Sequence, residues 1–222
     1  MGAERVIGML AAARAEGWMK VASGPEQYRF TSDVAPHAPT TPTSPIDAIR
    51  ALVEERREGP LTIMGIGGFG GAGKTTLARR VEREIHDAQV VATDAFWTGS
   101  SFDLGRLRTA VLDLLLAGEV AEFDEWDWAS KSANTGRRLR PEGLIIVEGV
   151  CALHEMFRDD LRVRVWVDAP RDVRLERGVA RDGEDSRATW ENVWMPNELA
   201  YVERDAPVSC AHLVVDGTQP FG

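Results

Sequence analysis

The stretch "GGFGGAGKTT", Gly67–Thr76, decides how the rest of this chain is read. Five glycines, one lysine and two threonines stand among its ten positions, and Gly68 to Thr75 match GxxxxGK[ST] in full. Each residue type has a physical reason. Glycines without Cβ atoms let successive backbone N–H groups turn inward around phosphate oxygens. Lys74 can bring an ammonium to the β and γ phosphates, and Thr75 can offer its hydroxyl to Mg²⁺. A helix starting there adds the positive end of its dipole. A chance match in a chain of this composition is on the order of 1%. The expected nucleotide cradle is therefore Gly68, Phe69, Gly70, Gly71, Ala72, Gly73, Lys74, Thr75 and Thr76.

Outward from the cradle, short apolar runs alternate with amphipathic stretches. The runs are "LTIMGI", "AQVVAT", "GLIIVEG", "RVRVWVDA" and "HLVVDG", rich in Val and Ile as strands buried on both faces are. Helix-like segments lie between them at 74–86, 104–117, 171–180 and 187–204. This alternation predicts an α/β protein of the P-loop NTPase fold: a five-stranded parallel sheet with helices on both faces. In such sheets ligands bind at the carboxyl ends of the strands, so the residues closing each run carry the chemistry.

The chain before this domain reads differently. Residues 4–16 suit a surface helix, and Trp18–Phe30 suits two short strands about an "SGPE" turn. "SDVAPHAPTTPTSP" holds four prolines in fourteen residues and reads as an extended linker. Ser44 as N-cap, Pro45 in the first turn and Gly59 as stop then define a helix. The expected division is an appendage with a proline-rich linker over 1–43 and a catalytic domain over 44–222.

Composition narrows the class. The chain has 222 residues, 44% of them hydrophobic, and a net charge of −9, which argues against a general nucleic-acid binder. No apolar run is long enough to span a bilayer. Two distant cysteines, Cys151 and Cys210, argue for a reducing compartment and against zinc, so a cytoplasmic protein without membrane or nucleic-acid partners is expected. Oligomeric state is not readable.

Two acidic residues close strands. Asp94 ends "VVATD", where a carboxylate can take the proton of an attacking hydroxyl, hold metal through water, or merely cap the next turn. Glu148 ends "LIIVE", where a carboxylate can hold a metal-bound water or cap the next helix, the clean strand pattern favouring the metal.

With these residues in place, "TDAFW" resembles the Asp-x-Phe-Tyr segment of the uridine kinase family, P-loop small-molecule kinases related to phosphoribulokinase and bacterial pantothenate kinase. The resemblance implies that Asp94 is the base for a nucleoside hydroxyl, that Phe96 and Trp97 line its pocket, and that Trp97 replaces the usual Tyr. "SFDLGRL" resembles the family's Phe-Asp segment, implying that Asp103 holds ribose hydroxyls. "EWDWASKS" resembles the segment walling the base pocket, with Trp126 and Trp128 in it. "FDEWDWAS" has no clean period, so these aromatics are expected on a loop.

"VWVDAPRDVRLERGVARD" resembles the family's fourth strand and lid entry. Arg174, Arg177 and Arg181 recur at helical spacing, so one face reads either as a solvated, paired surface or as a lid closing on the triphosphate. The resemblance favours the lid, with Arg181 catalytic, Arg177 on the nucleotide and Arg187 on the substrate. The family's Arg-Gly-Arg cluster is replaced by "RDGEDSRATW", and Gly178 stands where a second arginine is common. Trp190 and Trp194, four apart, suit core or lid packing.

These readings predict a kinase using ATP and Mg²⁺. Lys74, Arg181 and Asp94 would be catalytic, Thr75 and Glu148 would serve the metal, and a nucleoside of the uridine or cytidine type would be the acceptor. Another hydroxylated metabolite, such as pantothenate or a sugar, is the alternative acceptor. A non-catalytic ATP-binding protein is the rival of another class, whereas a GTPase is disfavoured because no Asn-Lys-x-Asp segment is present.

Overall fold

The computed structural model describes residues 28–30, 44–98, 101–128, 130 and 132–221. The helix expected over 4–16, the "SGPE" turn and most of the proline-rich linker lie outside the described residues. Eight strands are described: β1 (Tyr28–Phe30), β2 (Leu61–Gly68), β3 (Ala88–Ala92), β4 (Ala121–Asp127), β5 (Ser132–Leu139), β6 (Gly143–Glu148), β7 (Val163–Asp168) and β8 (Leu213–Asp216). Helices are α1 (Pro45–Arg56), α2 (Lys74–Glu84), α3 (104–116), α4 (Glu155–Arg158), α5 (Arg171–Asp182) and α6 (187–205). Both α3 and α6 contain a π-helical stretch, Arg108–Leu112 and Trp190–Trp194 respectively.

The main sheet has the order β1-β8-β7-β2-β6-β3. β8, β7, β2, β6 and β3 run parallel, as the apolar runs predict, and β1 adds an antiparallel strand against β8. From β2 the chain passes outward to β3, back to β6, and then to the other side of β2. Ligands gather at such a reversal of strand order.

Alternating residues of the central strands feed two cores. Ile63, Ile145 and Val147 face α3, Phe157 and Tyr201. Met64, Ile66, Leu144 and Ile146 face α1 and α2, where Ile49, Leu52, Leu77 and Val81 are fully or almost fully buried. α1 begins as expected, with the Ser44 hydroxyl accepting from Asp47 N–H and Pro45 in the first turn.

One expectation fails here. β4 and β5 pair as an antiparallel hairpin, which places Phe123 to Asp127, expected on a loop, on a strand. The hairpin lies against the outer edge of β3: the Gln89 side chain donates to Arg140 O and Glu142 O and accepts from Arg140 N–H, while Arg137 donates to Val90 O at 3.0 Å.

Candidate active site

The strand register puts the candidate groups at one level. Ile66 of β2 and Ala92 of β3 both pair with Glu148 of β6, so β3 and β6 end at one level and β2 two residues beyond it. Asp94 follows in a 3₁₀ turn, Thr93–Phe96, and the glycine loop follows β2. The loop leads directly into α2, whose N-cap is Gly73.

Lys74 is almost buried, and its Nζ donates to Phe69 O at 2.9 Å, folding the loop over the side chain. The phenyl ring of Phe69 points away, edge-on to Trp166 at 5.4 Å, so this residue can offer a ligand only its backbone. Thr75 Oγ1 donates to Glu148 Oε1 at 3.1 Å. Burial pushes the Glu148 carboxyl above the usual range, Lys74 pulls it back, and Asp94 adds to the rise. A hydroxyl and a buried carboxylate at a phosphate loop form a hard oxygen set suited to Mg²⁺. The Asp94 carboxylate accepts from the Thr93 hydroxyl at 3.3 Å, and its charge reaches Glu148, Glu198 and Arg181.

Beside Asp94 lies an aromatic patch. Trp97 packs on Phe102 at 5.3 Å and on Trp128 at 5.5 Å, and Trp126 meets Trp128 edge-on at 6.4 Å. Trp128 is 49% exposed and its indole N–H donates to Asp94 O, tying the hairpin to the turn that carries Asp94. The Trp126 indole N–H is buried without a hydrogen-bond partner among the described residues. These three rings are neighbours, with Trp126 on a strand and Trp128 just beyond its end.

One expected substrate residue is placed otherwise. Phe96 is fully buried and stacks on Phe123 at 5.4 Å, so it supports the turn from below and is out of a ligand's reach. Asp103 caps α3, with Oδ1 accepting from Arg106 N–H at 2.8 Å.

The lid arginines divide. Arg177 donates to Gly217 O at 2.8 Å and Gly71 O at 3.4 Å, bracing the glycine loop by its backbone. Arg181 makes two hydrogen bonds to Asp182, at 2.7 and 2.9 Å, and Arg187 pairs with Glu184 on the surface. Arg174 does not share a solvated face with them. It is buried, its guanidinium lies 4.2 Å from the Phe69 ring centre, and it pairs with Glu198 of α6 at 3.4 Å. Glu198 also accepts from Gly70 N–H at 2.9 Å. No local pattern marks these contacts, because their partners are far apart in sequence. Gly178 has a visible cause: a Cβ there would meet the Trp190 indole at 2.4 Å, so the arginine common at this position is excluded by a tryptophan packed in its place. Trp190 is 2% exposed and donates to Asp182 at 3.0 Å, with Trp194 edge-on at 5.1 Å, which is lid packing as expected.

Known proteins resemble this arrangement. A family model described as an AAA domain matches residues 64–195. A uridine kinase from Deinococcus deserti is 30% identical over 170 residues, covering 64% of this chain and 81% of that protein. Uridine kinase-like protein 3 from Arabidopsis thaliana is 29% identical over 153 residues, covering 59% of this chain. The chain spans only 33% of that relative's length. The solved structure of a possible uridine kinase from Bacillus stearothermophilus superimposes with a TM-score of 0.59 at 19% identity, over 77% of this chain and 97% of that one, a likeness of fold.

Proposed function

The chain belongs to the uridine kinase-like family of P-loop kinases, and from that membership we propose that it moves the γ-phosphoryl group of ATP to a hydroxyl of a nucleoside, uridine or cytidine first. The observation that carries this reading is the convergence of Lys74, Thr75, Glu148 and Asp94 on the carboxyl ends of three neighbouring strands, β2, β6 and β3.

In this mechanism the glycine loop and the start of α2 bind the phosphates through backbone N–H groups. Lys74 leaves Phe69 O and turns to the β and γ phosphates. Asp94 accepts the proton of the acceptor hydroxyl as that oxygen bonds to the γ phosphorus, and ADP departs with the electrons of the broken P–O bond. Thr75 and Glu148 would hold Mg²⁺, which neutralises charge on the β and γ phosphates when bound. Arg181, within electrostatic reach of Asp94, adds positive charge at the lid, and Arg177 steadies the loop. Such a loose transition state is served by position and electrostatics more than by covalent chemistry. The tryptophans at 97, 126 and 128 would stack the acceptor's ring.

One observation favours a second acceptor class. Asp103, the expected ribose contact, is engaged in capping α3. A hydroxylated metabolite without a ribose, such as pantothenate or a sugar, would not need it.

ATP consumption measured over nucleosides, pantothenate and sugars tests both readings. A nucleoside should give the fastest turnover, and Asp94→Asn should abolish it while leaving ADP binding near normal. Turnover retained by that variant would remove Asp94 from the role of base.

A further inference from the structure

The Glu198 carboxylate reaches the phosphate loop from outside the P-loop motif, 128 positions away along the chain. One oxygen accepts from Gly70 N–H at 2.9 Å, and the other pairs with Arg174 at 3.4 Å. Arg174 in turn donates to Ala169 O at 3.0 Å and lies over Phe69, so each member of the chain Gly70–Glu198–Arg174–Phe69 is held by the next. Trp190 closes the other side. A Cβ on Gly70 would meet Glu198 Oε1 at 2.5 Å and the Trp190 ring at 2.9 Å. The loop thus lies between a carboxylate and an indole, both supplied by α6.

We propose that Glu198 is a positioning residue: with its charge balanced by Arg174, it holds Gly70 N–H and keeps the phosphate loop folded for nucleotide before nucleotide arrives. The inference rests on the kinase reading above.

Three physical considerations support it. A loop with five glycines in ten residues has much backbone freedom to lose when it closes on a ligand, and any part ordered beforehand improves affinity. A bare carboxylate beside a triphosphate would repel it, whereas the paired Arg174 makes the unit close to neutral. Finally, a charge-assisted hydrogen bond to a backbone N–H is one of the stronger ways to hold a single peptide group in place.

Calorimetric binding of Mg·ADP to the wild-type chain, Glu198→Ala and Glu198→Gln tests the proposal, because ADP needs no knowledge of the acceptor. Glu198→Ala should bind ADP about tenfold or more weakly, the loss expected for a charged hydrogen bond. Glu198→Gln retains an oxygen for Gly70 N–H and should recover most of that affinity. Equal ADP affinity in all three proteins overturns the proposal, as does a glutamine variant no better than alanine. Should the alanine variant fail to fold, amide exchange in the nucleotide-free wild-type protein decides: a protected Gly70 N–H supports the proposal, and one exchanging like an open loop overturns it. A wild-type chain that binds no ADP removes the kinase reading instead.

Discussion

The two ends of this active site are built by different means. The phosphate end is backbone architecture: a glycine loop between a strand and a helix, buried acidic and basic groups around it, and α5 and α6 packed against its outer face. The proposed acceptor end is side-chain architecture: three tryptophans, one half exposed, on a turn and a two-stranded hairpin beside the main sheet. The first end is nearly independent of what is phosphorylated. The second can be recast by changing a few rings without moving a strand.

Substitutions that act on one end alone test this contrast. The largest effect belongs to Lys74→Ala, which should lower turnover by roughly a thousandfold, in the range for removing a preorganised charge-stabilising group. Steady-state kinetics with any acceptor would show it, and comparable rates in the variant would break the assignment of this end. Next, Gly178→Ala forces a methyl group into the Trp190 ring and should cost about 1–3 kcal/mol of unfolding free energy. Urea denaturation measures the loss, and unchanged stability would mean that α5 and α6 are looser than the packing indicates. Trp128→Ala should raise the acceptor KM about fivefold, equivalent to roughly 1 kcal/mol of ring contact, with the ATP KM unchanged. A matching rise in both constants would show that the two ends are coupled.

The opposite end of the sheet supplies a control that leaves both ends of the site untouched. His212 precedes β8 and is buried between the guanidiniums of Arg164 and Arg56. Burial first, and then Arg164 and Arg56, push its pKa down to about 3. Between that value and roughly 6.5 for an unfolded histidine, only the unfolded chain takes up the proton. Stability should therefore fall as pH drops through this window, and His212→Asn should flatten the dependence. A denaturant midpoint followed from pH 7 to 4 in both proteins checks the sign.

Much of the phosphate end was legible in the sequence because it is local. The motif, the apolar runs and the acidic residues closing them are contiguous patterns, and Asp94 and Glu148 stand where those patterns put them. The hairpin was hidden for two reasons. Its first strand alternates only as far as Phe123, where a register shift between Phe123 and Glu125 breaks the period. Its second strand is exposed along nearly its whole length and so has no apolar signal. Phe96 and Asp103 matched family segments, but a one-dimensional match does not reveal that one ring faces the core and one carboxylate caps a helix. The pairing of Arg174 with Glu198 left no trace, since only folding brings α6 to the loop. Gly178 was a visible oddity whose cause, Trp190, lay twelve positions on.

The hairpin's contact with β3 also bears on how copies of the molecule meet. A border strand offers an open row of N–H and C=O groups, a template on which another chain can pair. Here Arg137 occupies one carbonyl of that row, Val90 O, the Gln89 side chain ties the strand to residues 140 and 142, and Arg138 is exposed beyond it. The hairpin that carries Trp126 thus covers part of an edge on which another chain could pair. Redesigning it for the acceptor proposed above should alter solubility along with selectivity.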